Sequence, residues 1–416
     1  MNQLNVKQRY IGLFLFLLFA LPGFGQRSDS LFIDYLKEEY GITTARHNEV
    51  KLLKSGHEKF EDLFDAIRKA KHHIHLEYFN FRNDSIAKLT FSLLAEKAKE
   101  GIEVRAMFDA FGNSSNNQPL KKRHLDEIRK SGIEIVKFDP IRFPYLNHVF
   151  HRDHRKIVVI DGKVGYTGGM NIADYYIEGV PEIGEWRDMH VRIEGDGVNH
   201  LQDIFLTMWN KTTKQSIGGE AYYPLRADST LWEGDKEIAI VDRYPRKTPK
   251  IMRRAYAEAI QSADEKVQII NPYFTPTRII KKAIKKALKK GVKVEIMIPG
   301  KSDIPFTPDA AFYIANKLRK KGADIYVYNG GFHHSKIMMI DSLYCTVGST
   351  NLNSRSLRYD YEVNAFIFDR ETTAELIDMF EDDQQNSTLL TREEYKKRSA
   401  WRRFVGWFAH LFTPFL

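Results

Sequence analysis

Cysteine is almost absent from this chain of 416 residues, which contains a single copy, Cys345. One cysteine cannot form an intrachain disulfide, and it excludes a metal site built on clustered thiolates. A long apolar run is also lacking at the N-terminus, where residues 10–21 are too few for the roughly 20 that a bilayer-spanning helix needs. A disulfide-stapled fold is therefore excluded, and residues 10–21 do not read as a full membrane span.

The charge balance points towards an anionic partner. Sixty-three Lys and Arg residues stand against 54 Asp and Glu residues, which gives a formal net charge of +9. Such an excess favours binding to a membrane surface or to a nucleic acid without choosing between them. With 43% hydrophobic and 28% charged residues, the composition is that of an ordered globular protein, long enough for two domains or for one body of two halves.

The N-terminal residues have the order of a targeting segment. Lys7 and Arg9 precede the apolar run, and Pro22, Gly23 and Gly25 follow it. Basic, apolar and then small residues are typical of a secretory signal peptide, so residues 1–25 are predicted to be a signal peptide cleaved after Gly25, or else an N-terminal anchor. Either alternative predicts an exported protein, periplasmic or membrane-associated and facing outside the cytoplasm.

Strand-like and helix-like segments alternate twice along the chain. Residues 72–140 predict strand, helix, strand, helix, strand, and residues 266–331 repeat that order. This alternation predicts the α/β class, with a parallel or mixed sheet covered by helices. The two copies divide the chain into a first repeat at 26–220 and a second at 221–395, followed by a basic and aromatic C-terminal segment at 396–416.

A short polar motif is duplicated with the same spacing. It has the form His-x-Lys-x4-Asp-x6-Gly-x-x-Asn, and every matched position lies 180 residues from its copy: His154, Lys156, Asp161, Gly168 and Asn171 match His334, Lys336, Asp341, Gly348 and Asn351. Other matched points are offset by 190, which places a ten-residue insertion within residues 139–154, just before the first motif. Such self-similarity indicates an internal duplication.

The motif combines residue types that suit a phosphate group. His and Lys two positions apart share one face of a strand, because alternate side chains point the same way. A single copy reads as the solvated entry to a buried strand, but packing alone would not dictate the same polar set twice. The two aspartates, Asp161 and Asp341, could orient a catalytic group or could cap the turn after the strand.

The paired motif resembles the HKD signature of the phospholipase D superfamily. The segments "LEYFNFRND", "EWRDMHVRIEG", "NPYFTPT" and "NSRSLRYDYEVN" narrow the resemblance to the cardiolipin synthase-like branch, over about residues 45–416. The resemblance implies two tandem phospholipase D-type α/β/α repeats that form one body with a single active site at their interface. Gly169 stands where the general pattern has serine, as is usual in the first motif of this branch.

The resemblance also implies a mechanism through a phosphohistidine, with no cofactor and no metal. On this reading His154 attacks phosphorus and His334 protonates the leaving alcohol. The implied catalytic set is His154, Lys156, Asp161, His334, Lys336 and Asp341, the phosphate-binding set is Asn171, Asn351, Lys156 and Lys336, and the candidate carboxylates that orient the histidines are Glu185, Asp188 and Glu362. His151 and His333, beside the motifs, are interpreted as strand-entry or mouth residues outside the catalytic set.

The predicted function is a phosphatidyltransferase of cardiolipin synthase type that makes cardiolipin and glycerol from two phosphatidylglycerols. A phospholipase D that uses water, a nuclease of the same superfamily and a non-enzymatic lipid-binding module are the alternatives. The predicted partners are an anionic phospholipid membrane and phospholipid substrates, with no nucleic acid and with the chain as a monomer. Aromatic and basic residues at 396–416 favour a helix at the membrane interface over one docked on the protein's own core. The lysine-rich helix at 278–291 is predicted to be a crossover helix with a solvated face.

Overall fold

A continuous mixed sheet of fifteen strands runs through the described residues of the computed structural model, which are 27–140, 150–224, 234–304 and 307–413. The predicted signal peptide or anchor at 1–25 lies outside these residues, as does most of the predicted insertion at 139–154.

The strands of the described residues are β1 Ala45–Leu53, β2 His73–Tyr78, β3 Glu103–Asp109, β4 Glu134–Phe138, β5 Ile157–Ile160, β6 Val164–Gly168, β7 Glu185–Arg187, β8 His190–Gly195, β9 Lys236–Arg243, β10 Lys266–Ile270, β11 Lys293–Pro299, β12 Asp324–Tyr328, β13 Gly331–His333, β14 Ile337–Ile340, β15 Tyr344–Gly348, β16 Glu362–Phe368 and β17 Ser387–Leu389. The helices are α1 Ser28–Tyr40, α2 Gly56–Lys69, α3 Ser85–Lys99, α4 Ala110–Ser115, α5 Lys122–Lys130, α6 Tyr175–Glu178, α7 Val198–Thr213, α8 Ile251–Ser262, α9 Arg278–Lys290, α10 Thr307–Arg319, α11 Ser354–Arg358, α12 Arg370–Gln385, α13 Arg392–Lys397 and α14 Ala400–Ala409.

The order of strands in the sheet reveals the duplication. It runs β4-β3-β2-β5-β6-β8-β1 through the first half and β9-β16-β15-β14-β10-β11-β12-β17 through the second, so the two halves repeat one another outwards from the β1–β9 pair. In each half three strands are parallel and joined by crossover helices: β2, β3 and β4 in the first, and β10, β11 and β12 in the second. The strands inside them are antiparallel, and β17 pairs antiparallel with β12 at the outer edge of the second half. The prediction of two tandem α/β/α repeats in one body is confirmed.

The strand that follows each His-x-Lys pair lies in the middle of its half. The runs at 157–160 and 337–340 are fully buried because alternate side chains enter helix layers on opposite faces of the sheet. Val158 packs with helices α2 and α3, whereas Val159 packs with helix α7 on the other face. Strands β5 and β14 run antiparallel to β2 and β10, so both motif histidines lie at the sheet edge where the parallel strands end.

Helix α1 does not follow the predicted division of the chain at residue 220. Its Phe32 and Leu36 are buried in the core of the second half, where the Phe32 ring stacks on Tyr344 at 5.5 Å and lies 5.0 Å from Phe366. The first helix therefore packs on the repeat that follows it in sequence, because the apolar face between α8 and strand β15 is open to it.

The C-terminal segment is helical and is anchored by one side only. Gly406 of α14 packs so closely on α10 that an added Cβ would lie 2.4 Å from the Asp309 carbonyl oxygen, and the His410 ring lies 4.4 Å from that of Tyr313. The aromatic side chains of α14 remain exposed. Within the described residues, no helix has the length and apolar character required to cross a bilayer.

Candidate active site

Each motif histidine is held by a strand or loop of the other half. The backbone N–H of His154 donates to the Tyr361 carbonyl oxygen at 3.0 Å, and that of His334 donates to the Arg187 carbonyl oxygen at 2.6 Å. The short strands β7 and β13 pair in parallel and carry Arg187 and His333 opposite each other. These contacts join the two halves at the site, so both His-x-Lys pairs face one cleft.

The carboxylates that contact the histidines are also exchanged between halves. Nδ1 of His154 lies 3.1 Å and 3.2 Å from the two carboxylate oxygens of Glu362, and Nδ1 of His334 lies 2.6 Å from Asp188. Both carboxylates are fully buried. Because each imidazole uses Nδ1 for its carboxylate, Nε2 is the ring nitrogen left to approach a phosphorus atom or a leaving oxygen. In His334 this Nε2 atom lies 3.1 Å from Nζ of Lys336. Of the three predicted orienting carboxylates, Asp188 and Glu362 are in place.

The two lysines bring positive charge into the buried site. Nζ of Lys156 donates to the His154 carbonyl oxygen at 2.6 Å, and Nζ of Lys336 lies 2.8 Å from Nδ1 of His334. Burial lowers the pKa of Lys156 to about 7 and that of Lys336 to about 8. An anionic phosphodiester would reverse part of this shift, since an opposite charge favours the ammonium form. The pair is therefore suited to binding a phosphate group.

The two orienting carboxylates differ in charge state. Burial raises the pKa of Glu362 to about 7. Burial alone would also raise the pKa of Asp188, but the neighbouring Lys336 and His334 lower it below its ordinary value. Asp188 is thus ionised at neutral pH, whereas Glu362 is partly protonated. Consequently His334 has a full negative charge beside it and His154 does not.

Both motif asparagines are nearly buried at the site. The side-chain oxygens of Asn171 and Asn351 accept no hydrogen bond from the described residues, whereas Nδ2 of Asn171 lies 3.4 Å from the Tyr176 hydroxyl. A buried amide with unused capacity is costly unless a ligand or water satisfies it. The unused oxygens accept hydrogen bonds, so a donor such as a lipid hydroxyl would satisfy them, whereas a bound phosphate could accept only from the Nδ2 groups.

Two predicted catalytic residues lie elsewhere. The carboxylate of Asp161 accepts the backbone N–H groups of residues 71, 72 and 73 at 2.8, 2.7 and 3.0 Å, and that of Asp341 accepts those of 264, 265 and 266, each at 2.8 Å. They lie at the far ends of strands β5 and β14, across the strand from the histidines. The catalytic assignment of both is corrected to the turn-capping alternative.

Glu185 is a second correction. Its side chain is exposed on strand β7, and its backbone pairs with Gly331. Residues 185 and 188 fall on opposite sides of a short extended segment, so only Asp188 can face His334. His151 and His333 lie outside the histidine–lysine cluster: Nδ1 of His151 contacts the Tyr359 carbonyl oxygen at 2.9 Å, and Nε2 of His333 contacts Asp383 at 2.9 Å.

Sequence reasoning missed the aromatic walls of the site. The Phe79 ring lies 5.0 Å from the His154 ring, and those of Phe332, Trp186 and Tyr273 lie 5.3, 5.4 and 5.8 Å from the His334 ring. Phe79, Trp186 and Tyr273 belong to the quoted family-like segments. The sequence alone does not show which aromatic residues will line the site once the chain has folded. These rings flank the two histidines, whose side chains are 15% (His154) and 8% (His334) exposed.

Sequence reasoning also missed the meaning of the glycine that replaces serine in the first motif. In the second motif the Ser349 hydroxyl donates to the Glu362 carboxylate. In the first, a Cβ at Gly169 would lie 2.1 Å from Oδ1 of Asp188. Glycine is therefore required at position 169, where the Asp188 carboxylate approaches the backbone. At position 349 a serine fits, because the longer side chain of Glu362 leaves room for its hydroxyl. Within the part of the chain that the structure describes, no cluster of three or more His, Cys, Asp or Glu side chains suits a metal ion.

Comparisons with known proteins agree with this architecture. Residues 63–209 and 256–384 match the family described as cardiolipin synthase, PLD-like domain. The chain is 34% identical to a cardiolipin synthase of Oceanobacillus iheyensis over 96% of this chain and 81% of that protein, and 38% identical to cardiolipin synthase 2 of Staphylococcus epidermidis over 89% and 75%. A crystal structure of phosphatidylserine synthase from Haemophilus influenzae has the same fold, with a TM-score of 0.65 and 16% identity over 87% of this chain and 92% of that one.

These matches decide the family. The chain belongs to the cardiolipin synthase family of the phospholipase D superfamily. The prediction that it is exported to face outside the cytoplasm is wrong, because the relatives that match nearly its whole length are bacterial cardiolipin synthases. That prediction relied on residues 1–25, which the structure does not describe.

Proposed function

We propose that this enzyme transfers a phosphatidyl group from one phosphatidylglycerol to the hydroxyl of a second, forming cardiolipin and releasing glycerol. The observation that carries the proposal is the exchange of carboxylates between two His-x-Lys pairs, His154–Glu362 and His334–Asp188. It supplies two imidazoles, each held through Nδ1 by a carboxylate of the other half, and two lysines for one phosphodiester. The similarity to cardiolipin synthases over most of the chain supports the choice of substrate.

In the first step, Nε2 of His154 attacks phosphorus of the donor lipid. A P–N bond forms as the bond from phosphorus to the glycerol head-group oxygen breaks, and protonated His334 gives its proton to that oxygen. Lys156 and Lys336, with the amides of Asn171 and Asn351, neutralise and hold the non-bridging oxygens. Glycerol leaves, and the phosphatidyl group remains on His154.

In the second step, the head-group hydroxyl of another phosphatidylglycerol replaces glycerol. Now neutral, His334 takes the proton of that hydroxyl as its oxygen attacks phosphorus and the P–N bond breaks. Cardiolipin is released, and His334 regains the proton that it gave away. The aromatic side chains around the histidines favour this outcome over hydrolysis, because they restrict water at the phosphohistidine.

The roles of the two histidines follow from their carboxylates. Burial and the neighbouring Lys336 charge hold the pKa of His334 at about 4 in the free site. An ionised Asp188 stabilises the protonated form of His334, and a bound phosphodiester offsets the Lys336 charge. The partly protonated Glu362 gives less support to a protonated His154, which burial, Lys156 and Lys336 keep neutral. A neutral imidazole is the nucleophile and a protonated one is the acid.

A product analysis tests the reaction. The full chain is incubated with phosphatidylglycerol vesicles and the lipids are identified by mass spectrometry. We expect cardiolipin and glycerol, no product with His154→Ala, and retained activity with His151→Ala as the matched control. Phosphatidic acid in place of cardiolipin would identify a phospholipase D, and full turnover by His154→Ala would refute the mechanism.

The order of roles has its own test. A phosphatidyl ester of p-nitrophenol needs no acid for its leaving group, so His334→Ala should accumulate a phosphatidyl adduct on His154 with this substrate. His154→Ala should form none on His334. The opposite pattern would exchange the two roles.

We further propose that the enzyme acts as a monomer on an anionic phospholipid surface and has no nucleic-acid partner, consistent with the two-half site within one chain.

A further inference from the structure

Exposed aromatic side chains are concentrated on one face of the C-terminal helix. Half of the large hydrophobic residues exposed in the described part of the chain fall within residues 401–412, and Trp401 is 69% and Phe404 50% exposed. The set is Trp401, Phe404, Trp407, Phe408, Leu411 and Phe412. Positions 401, 404, 408 and 411 recur at helical spacing, so they share a face. A cluster of this kind marks an interaction surface rather than chance exposure.

This face is unpartnered although its helix is firmly placed. Gly406 contacts the Asp309 backbone on the opposite side of α14, and Arg398, just before the helix, pairs with the Asp309 carboxylate. The Arg398 guanidinium also lies 3.9 Å from the centre of the Phe312 ring. The helix is therefore held with its aromatic face pointing away from the protein.

A surface of lysines continues from this helix. Residues 278–291 contain six lysines and no acidic residue. Burial lowers the pKa of Lys281, with Lys285 and Lys317 of helix α10 contributing in the same direction as neighbouring positive charges. Nζ of Lys317 lies 4.6 Å from the ring centre of Tyr313, the residue that contacts His410. Lys281 of α9 therefore lies close enough to Lys317 of α10 to feel its charge, and α10 in turn packs against α14.

The surface borders the active site. The hydroxyl of Tyr273, whose ring lies beside His334, donates to Asp303 at 2.8 Å. Helix α10 begins four residues after Asp303, at the same sheet edge as the histidines, and its first turn carries Asp309, on which α14 packs. A partner on this surface would therefore lie next to the cleft.

We propose that the aromatic face of α14 and the lysines of α9 and α10 form one docking surface for an anionic phospholipid bilayer, beside the active-site cleft. This inference rests on the proposed function, for which the substrates lie in a bilayer. Aromatic side chains flanked by cations are suited to the interface of an anionic membrane. A second copy of the chain fits the surface less well, because a two-fold contact would place lysines against lysines.

Tryptophan quenching tests where the bilayer lies. The full chain is mixed with phosphatidylglycerol vesicles that carry bromine on their acyl chains, and fluorescence is compared with unbrominated vesicles. Trp401 and Trp407 should be quenched, and the quenching should disappear in the double variant Trp401→Phe, Trp407→Phe while the vesicles still bind. Quenching that persists in this variant, or that never occurs, would overturn the proposal.

Flotation with vesicles measures how much the aromatic face of α14 and the lysines of α9 each contribute to membrane binding. Replacing Phe404 and Phe408 by Ser should weaken binding to phosphatidylglycerol vesicles by at least roughly 100-fold. Each of Lys282, Lys285 and Lys289 changed to Gln should weaken it by roughly fivefold, since a lysine near an anionic surface contributes about that factor. Leu89→Ser, at another exposed apolar residue, is the control for the Phe404 and Phe408 changes and should bind like the parent. The control for the lysine changes replaces three exposed lysines of the first half, Lys99, Lys130 and Lys163, by Gln and should also bind like the parent.

Two further readouts separate this proposal from the proposed function. Cleavage of bis(p-nitrophenyl) phosphate without vesicles should be unchanged in the surface variants, which shows an intact site. Loss of vesicle binding with that cleavage retained supports the docking surface even if the lipid product proves to be phosphatidic acid. Equal vesicle binding by the parent and the surface variants would overturn the docking surface. So would a dimer of the parent in gel filtration that dissociates to a monomer when Phe404 and Phe408 are changed to Ser.

Discussion

Replacing Asp188 by Asn removes one negative charge from the site while preserving its shape. The carboxylate lies 2.6 Å from Nδ1 of His334, and both side chains are nearly or fully buried. In the proposed mechanism Asp188 stabilises the protonated imidazole that donates to the leaving oxygen. The variant keeps a hydrogen-bonding group at this position but cannot compensate the imidazolium charge.

The size of the effect follows from the contact. A hydrogen bond to a charged group contributes about 1.5–3 kcal/mol. Two unit charges about 4 Å apart at an effective dielectric constant of about 20 interact by about 4 kcal/mol. Since each 1.4 kcal/mol is a factor of about ten, kcat on phosphatidylglycerol should fall by about 10- to 10³-fold. The Michaelis constant should change little, because Asp188 is proposed to act on the proton transfer.

The assay compares two leaving groups. Cardiolipin formation gives kcat for glycerol release, and the first burst of p-nitrophenol from its phosphatidyl ester gives the rate of attack by His154 alone. The burst should be within about tenfold of the parent, because p-nitrophenolate leaves without a proton. An equal loss with both substrates, or a fall in kcat of less than about threefold, would refute the proposed role of Asp188.

The remaining predictions concern pH, packing and stability. The rate should fall as the pH rises through about 7 and then about 8, because Lys156 and then Lys336 lose the charge that binds the phosphate. In Lys156→Arg, whose guanidinium stays charged, the fall near 7 should vanish from the profile of kcat/KM, and a fall that persists there would contradict this role of Lys156. Gly169→Ala should lower kcat by about 100-fold or more with the fold retained in circular dichroism, because its Cβ would displace Asp188; parent-like kcat would contradict this contact. Asp341→Ala should reduce the free energy of unfolding in urea titration by about 3 kcal/mol, because three hydrogen bonds are lost and alanine must adopt a left-handed backbone at φ 50°. The variant should keep kcat within about twofold of the parent, and a large loss of kcat would restore the catalytic role of Asp341.

Much of the site could be predicted because its chemistry is local in sequence. His154 and Lys156 are two residues apart on one extended segment, so their shared face follows from strand geometry. The same local logic failed for Asp161. It lies five residues beyond Lys156, and a fully buried four-residue strand carries it to the opposite edge of the sheet. The pattern alone could not distinguish a residue of the site from a residue of the turn.

The aromatic C-terminal helix shows another limit. Its composition favoured a membrane-interface helix over one packed on the protein's core, and in the structure one side of the helix is packed while the other is exposed. Gly406 seats one side on α10, and Trp401 and Phe404 on the other side are exposed. A helix has two faces, and only the position of a neighbouring helix decides which of them is covered.

The sequence by itself determined that this protein is duplicated, that each half is an α/β repeat and that each carries a histidine and a lysine suited to a phosphodiester. Those properties depend on spacing along the chain, which is visible before folding. Only the tertiary structure decided which carboxylate serves which histidine. Asp188 reaches His334 across 146 residues and Glu362 reaches His154 across 208. Because each pair joins opposite halves, the partners meet only when the two repeats close on one another.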